Sequence, residues 1–179
     1  MQTKAIILNQ EAIHLVLERL ASEVIERHAT RGPFLLVGIE RRGVDLARRL
    51  VEIISAKMEA PIALGTLDIN FYRDDWTTIK DCPHIGTSHI PENIQDRTVI
   101  LVDDVLYSGR TVRAALDALL AYGRPKKVEL LVLIDRGHRE LPIQADYVGK
   151  KVTTHKDEQV SVLLVERDGL DEVRLESKG

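Results

Sequence analysis

Residues Val99 to Thr111, Val-Ile-Leu-Val-Asp-Asp-Val-Leu-Tyr-Ser-Gly-Arg-Thr, constrain this chain more than any other stretch. Four apolar residues of the buried-strand type run straight into two adjacent carboxylates, Asp103 and Asp104. A short Ser-Gly-Arg-Thr turn follows, and then a helix-forming stretch from Val112 to Tyr122. That order puts the acids where a parallel strand ends and a helix begins, the place where ligands bind in open α/β sheets. Ser108, Gly109 and Thr111 would aim backbone amides and hydroxyls at an anion held against the helix N-terminus. Two carboxylates beside such a cradle suit a ligand with both hydroxyls and a phosphate, as in a ribose 5-phosphate. The same pattern also fits carboxylates that only meet solvent or cap the helix. The stretch alone leaves both possibilities open.

Helical and strand periodicities alternate along the remaining chain. Asn9 is placed to cap a helix in which Ile13, Val16, Leu17, Leu20, Ala21 and Val24 share one face. Arg31-Gly-Pro33 ends it, and Phe34 to Ile39 reads as a buried strand followed by a helix over 44–58. Further strands are expected at Ile62–Ile69, Val99–Val102, Lys127–Ile134 and Val160–Val165, with Gly123-Arg-Pro125 stopping the third helix. Strands separated by helices predict an α/β fold, a mainly parallel twisted sheet covered on both faces. With 179 residues the chain suffices for one domain, 1–179, and is short for two.

Composition narrows the class. The chain is 44% hydrophobic and 30% charged, which is ordinary for a globular protein. No apolar run approaches the roughly 18–20 residues that span a bilayer, and the first nine residues lack the apolar core of a signal peptide. Cys82 is the only cysteine, which excludes an intrachain disulfide and a cysteine metal cage. A cytoplasmic location without membrane partners is the expectation. The net charge of −3 carries no global attraction for nucleic acid, although a local basic face is compatible with it.

Three further constellations follow predicted strands. Gly38-Ile-Glu-Arg-Arg-Gly43 sets two arginines between glycines that let backbone approach a polyanion closely; a tight turn with surface arginines fits equally. A polar stretch of about 25 residues, roughly 70–95, carries Tyr72-Arg73-Asp74-Asp75 and Trp76. A structureless loop of that length in a compact domain is usually functional, but an exposed charge cluster looks the same. The third, Asp135-Arg136-Gly-His-Arg139 through Asp146 and Gly149-Lys150, lies after the last long strand. A single histidine in such a turn, His138, is more often a surface residue than a catalyst.

Residues 99–111 resemble, at all 13 positions, the PRPP-binding motif of the type I phosphoribosyltransferases. The runs Asp68-Ile-X-X-Tyr-Arg-Asp-Asp75, Tyr107-Ser-Gly-Arg-Thr-Val-Arg113 and 135–150 are similar to those of the PyrR family, bifunctional pyrimidine operon regulators with uracil phosphoribosyltransferase activity. The likeness runs from Ala5 to about Val165. It implies the type I phosphoribosyltransferase fold, with a flexible loop at about 70–95 and a small base-reading hood at about 135–160. It further implies the transfer of ribose 5-phosphate from PRPP to uracil, giving UMP and diphosphate. Asp103 and Asp104 would grip the ribose hydroxyls, and Val105, Leu106, Tyr107, Ser108, Gly109, Arg110 and Thr111 would line the PRPP site. Loop 38–43, which often holds a cis non-proline peptide in the family, would meet the diphosphate through Arg42. Arg41 stands where a threonine is common, so its part is less defined. Arg73 would close on the diphosphate as a catalytic residue, with Mg²⁺ held mainly by PRPP and by no protein ligand directly. Arg136 and Val160 would contact the base.

Tyr107 bears on which base is used. The 6-oxopurine enzymes of the superfamily typically carry an aspartate at this position, and a tyrosine cannot serve as that carboxylate at neutral pH. A pyrimidine is therefore favoured. The PyrR family also binds leader messenger RNA in response to uridine nucleotides such as UMP and UTP, which controls transcription attenuation. Candidates for RNA contact are Arg19 and Arg27 on the first helix, with Arg139 and Lys150 near the hood. Here the chain departs from the family, with Glu18 and Ser22 standing where polar or basic residues are common and Gln144 where an arginine is common. An RNA-binding attenuator with vestigial catalysis and a salvage enzyme for another base remain as alternatives. Homodimers or tetramers are implied by the resemblance alone.

Overall fold

The computed structural model describes residues 2–73, 88–91 and 93–177. Its centre is a five-stranded sheet in the order β3-β2-β4-β5-β6, formed by β2 (Phe34–Ile39), β3 (Ala63–Leu67), β4 (Thr98–Leu106), β5 (Lys127–Asp135) and β6 (Tyr147–Lys151). All four neighbouring pairs are parallel. Side chains alternate across each strand, so a sheet covered on both faces needs apolar residues at every position. In the central strands Leu36, Ile100, Val102, Leu131 and Leu133 join one buried cluster, with α1 (Gln10–His28) and α2 (Arg42–Met58). Leu35, Val37, Val99, Leu101, Leu130 and Val132 join the other, with α3 (Arg110–Leu120).

Helix α1 shows how local chemistry sets an end. The Asn9 side chain accepts a hydrogen bond from the Ala12 amide at 2.9 Å, and Ile13, Leu17, Leu20, Ala21 and Val24 are buried below it, with Val16 partly so. Asn9→Ala should lower stability by about 1 kcal/mol, visible as a fall in thermal midpoint with no change in ligand affinity. The other end of α1 is fastened to the sheet. The Tyr147 hydroxyl and the Lys127 ammonium donate to Glu129, at 2.7 and 2.6 Å, and His28 Nε2 lies 2.8 Å from the same carboxylate. Burial pushes the Glu129 carboxyl up, but the hydrogen bonds from Lys127, Tyr147 and His28 outweigh it and hold it at about 2. An ionised carboxylate only accepts, so Nε2 carries the proton in that contact. The resulting stabilisation, on the order of 3 kcal/mol, is complete above the ordinary glutamate value and is lost as the pH falls toward 2. Glu129→Gln should therefore flatten the acid limb of a stability-against-pH curve, measured by urea unfolding.

Several boundaries differ from those the periodicity predicts. Strand β4 runs to Leu106 rather than ending at Val102, because β5 continues the ladder beside it, pairing Asp103 with Val132 and Leu106 with Asp135. The ladder to β5 continues past the aspartates, so the acids sit inside the strand, near its end. Helix α3 begins at Arg110, behind Gly109, whose φ of 92° suits glycine. Residues 135–160 do not build the hood as a unit, since β6 within them is the edge of the main sheet. The small sheet beside it joins both ends of the chain in the order β1-β8-β7, all antiparallel, from β1 (Gln2–Leu8), β7 (Glu158–Leu163) and β8 (Glu172–Ser177). Of the expected loop 70–95, Asp74, Asp75 and Trp76 lie outside the described residues, as does Cys82. Its return is anchored: His89 bridges to Thr66, and Ile94 is fully buried. No described helix is long and apolar enough to cross a membrane.

Candidate active site

The carboxyl ends of β2, β3, β4 and β5 bring together what the sequence separates by about a hundred residues. After β2, the loop 38–43 is compressed. A Cβ on Gly38 would stand 2.4 Å from Val44 Cα, and one on Gly43 would stand 2.4 Å from the Val102 carbonyl oxygen. The loop thus packs backbone to backbone against the strand that carries the acids. The Glu40–Arg41 peptide is cis, as the resemblance implies, and the Glu40 amide donates to the Leu67 carbonyl of β3 at 3.0 Å. Arg42 opens α2 and is half-buried, while the Arg41 side chain is exposed and its carbonyl accepts from Arg167.

Asp103 is 6% exposed and Asp104 partly so. Asp103 Oδ1 accepts from the Asp104 amide at 2.9 Å, and Asp104 Oδ1 from the Val105 amide at 2.8 Å. Burial pushes both carboxyls up, Asp103 furthest, with the neighbouring acid adding to it. The Val105 amide and the positive charge of Arg42 restrain Asp104. Such a pair gains most from a cation or from hydroxyl groups placed against it. A third carboxylate, Asp68, stands at the end of β3; one oxygen accepts from the Asn70 amide and the other is buried without a partner.

Beyond the acids lies a cavity of about 310 Å³ lined by Arg73, Asp103 and Val105 through Val112. That is within the range of small-molecule sites. The turn at its floor is held by residues from after β5. The Glu140 and Leu141 amides donate to the Ser108 carbonyl, and the Arg139 guanidinium donates to the Tyr107 carbonyl at 2.9 Å while pairing with Asp135 at 2.7 Å. Arg110 pairs with Glu140 at 2.7 Å. Arg139, expected to contact RNA, is engaged beneath the Tyr107–Ser108 turn. Its i,i+4 spacing from Asp135 was visible in the sequence, but the carbonyls it serves were not.

The residues expected to contact the base divide. Arg136 is buried, donates to the carbonyls of Glu158 and His155 and to Thr154 Oγ1, and lies 4.2 Å from the centroid of the Tyr107 ring. Its polar edge is engaged within the chain, and its flat face meets Tyr107. The His138 ring stands edge-on to the same tyrosine and contacts the Thr154 carbonyl at 2.7 Å. Val160 lies apart from these, on β7, in a recess shared with Arg42, Asp104 and Val105. The three remaining RNA candidates gather along β6. Arg19 donates to the carbonyls of Val148 and Gly149, Arg27 lies over the Tyr147 ring at 4.4 Å, and Lys150 donates to the Ile7 carbonyl.

Comparison with known proteins places this geometry in a family. The family model for the phosphoribosyl transferase domain matches residues 4–167. The chain is 53% identical over 174 residues to the bifunctional protein PyrR of Desulfosudis oleivorans, covering 97% of this chain and 96% of that one. It is 50% identical over 177 residues to the bifunctional protein PyrR of Bacillus subtilis, covering 98% of each. The chain belongs to the PyrR family of phosphoribosyltransferases. Among solved structures, the fold matches a hypoxanthine phosphoribosyltransferase from Staphylococcus aureus with a TM-score of 0.71 at 21% identity, covering 96% of this chain and 92% of that one. A hypoxanthine-guanine phosphoribosyltransferase from Bacillus anthracis matches with a TM-score of 0.73 at 18% identity, covering 97% and 98%. These two share the fold, which makes this PyrR-family chain a type I phosphoribosyltransferase in architecture as well as in sequence.

Proposed function

We propose that this PyrR-family enzyme transfers ribose 5-phosphate from PRPP to uracil at the ends of β2, β4 and β5, and that uridine nucleotides there govern its binding to pyrimidine leader mRNA. The observation that carries the catalytic part is the adjacent acid pair: buried Asp103 lines the cavity with Arg73 and the Ser108–Thr111 turn, and half-buried Asp104 lines the neighbouring recess with Arg42. In the reaction the bond from the ribose anomeric carbon to the diphosphate oxygen breaks, a bond from uracil N1 forms, and the N1 proton is released. The transition state carries positive charge on the sugar, as in glycoside hydrolysis. Asp103 and Asp104 sit where they would accept the ribose 2- and 3-hydroxyls and stabilise that charge. Ser108 to Thr111 would hold the 5-phosphate and so fix the sugar's position. Arg42 and Arg73 would take the diphosphate.

The donor set suits Mg²⁺ carried by the substrate. PRPP would supply most ligands of such a cation, and Asp103 and Asp104 would offer carboxylate oxygens to the hydroxyls and waters around it. When bound it would neutralise charge on the departing diphosphate. Tyr107 supports a pyrimidine: packed on Arg136, it offers no carboxylate to a purine imidazole nitrogen. Arg19, Arg27 and Lys150 along β6 support an RNA-facing side, and a homodimer or tetramer would present it more than once. A cytoplasmic location follows from such a role.

Steady-state assays with Mg²⁺ should show UMP formation from uracil and PRPP and little product with hypoxanthine or guanine. Absence of UMP formation would leave an attenuator without catalysis; a purine preference would overturn the role given to Tyr107. Gel-shift assays with pyrimidine leader RNA should show binding that UMP strengthens and salt weakens. RNA binding that ignores uridine nucleotides would remove the regulatory half.

A further inference from the structure

The last stretch of chain before β8 is strapped across the loop that opens α2. It comprises α4 (Val165–Asp168) and the residues on to Asp171. Arg42 reaches it first: one terminal nitrogen donates to both oxygens of Asp168, at 2.9 and 3.1 Å. Arg167 returns the contact, pairing with the buried Asp45 of α2 and donating to the Arg41 carbonyl at 3.2 Å. One turn along α2, Arg49 forks onto Glu166 at 2.6 and 2.8 Å and onto Asp171 at 2.7 and 2.8 Å. These bonds join segments more than 110 residues apart, and Arg42 and Arg167 tie the strap to the loop itself.

The geometry at Arg42 is the informative part. A guanidinium paired with a carboxylate frequently presents two nitrogens to two oxygens, as Arg49 does here. Arg42 instead spends a single terminal nitrogen on Asp168, and its Nε is buried with no hydrogen-bond partner. A buried donor left unpaired is costly unless a partner arrives. The side chain borders the recess that holds Asp104, so an anion seated beside the acid pair would meet it. Asp168 is itself held in place, its Oδ2 accepting from the Leu164 amide at 2.9 Å. The carboxylate is thus a fixed peg that engages a single terminal nitrogen of the guanidinium.

We infer that Asp168 is a positioning residue for the diphosphate of PRPP: it holds Arg42 by one nitrogen so that the rest of the guanidinium faces the substrate. The inference rests on the assignment of this site to PRPP. It also gives the C-terminal segment a role in substrate affinity that the PRPP motif does not contain.

The test is calorimetric titration of PRPP and of diphosphate, with steady-state kinetics, on the wild-type chain and three variants. Asp168→Asn should raise KM for PRPP and Kd for diphosphate by about tenfold, with KM for uracil and kcat at saturating PRPP close to wild type. Asp168→Glu should recover part of the affinity. Glu166→Gln, which breaks a neighbouring pair in the same strap, should lower the thermal midpoint at least as much as Asp168→Asn while leaving KM for PRPP unchanged. An unchanged or lowered KM for PRPP in Asp168→Asn would overturn the inference, the lowered value showing that Asp168 competes with the diphosphate. An equal rise in Glu166→Gln would overturn it too, as general loosening. A wild-type chain that binds neither PRPP nor diphosphate would instead overturn the assignment of the site itself.

Discussion

Replacing Asp103 or Asp104 by asparagine should lower kcat for UMP formation by roughly 10²–10³-fold, the largest functional effect expected of any single substitution here. The loss should fall on kcat more than on KM for PRPP. Positive charge on the ribose exists only in the transition state, and an interaction made only there lowers kcat and kcat/KM together. Asp103→Asn should at the same time raise the thermal midpoint at neutral pH. Burial and the adjacent acid push the Asp103 carboxyl well up, so its ionised form is disfavoured in the folded chain relative to the unfolded one. The sign follows from linkage: an acid whose folded value is raised costs stability once the pH passes its unfolded value, and costs nothing below it. The gain from Asp103→Asn should therefore be present at pH 7 and vanish toward pH 3. Thermal unfolding at both pH values checks this. A variant that lost activity and stability together would show that the acid holds the fold rather than the substrate.

Gly43→Ala should destabilise the chain by about 3 kcal/mol and reduce PRPP affinity beyond what partial unfolding explains. The added Cβ would lie 2.4 Å from the Val102 carbonyl oxygen and 3.3 Å from Asp103 Cα. Both are backbone atoms of the central strand, so no side chain can turn aside to relieve the contact. Either α2 lifts from β4 or the strand bends at the acid pair, and in each case Arg42 and Asp103 separate. Urea unfolding measures the first effect, and calorimetry at a temperature where the variant is fully folded measures the second. Gly137→Ala makes a useful contrast. Its Cβ meets nothing within 4 Å, so the cost there comes only from its φ of 75°.

Much of this architecture is legible in one dimension because a buried parallel sheet requires long apolar runs. Phe34–Ile39, Val99–Val102 and Lys127–Ile134 all lie in central strands, and the helix faces follow their spacing. The elements missed are those with little to bury. Strand β1 is exposed along most of its length and is defined by its partner β8, far along the chain. Strand β6 is short and edge-lying. Strand β8 did carry a signal, since Val173 and Leu175 alternate with charged residues, a period of two that marks a half-buried strand.

The candidate site divides in the same way. The order of residues in 99–111 suffices to place two acids ahead of a turn and a helix N-terminus, because strand, turn and helix follow one another within the reach of local backbone chemistry. It also supports the choice of a pyrimidine, through Tyr107. What Arg42, Arg136 and Arg139 do was decided only by folding. Each carries a guanidinium able to meet a phosphate, a carbonyl or a ring, and the sequence around it does not say which stands opposite. Arg139 holds the carbonyls of the turn after β4, Arg136 ties the 154–158 segment to Tyr107, and Arg42 hangs on Asp168. Side-chain type sets what a charged group can bind; which partner it binds depends on contacts between segments as far apart as 126 residues, and only the tertiary structure brings those together.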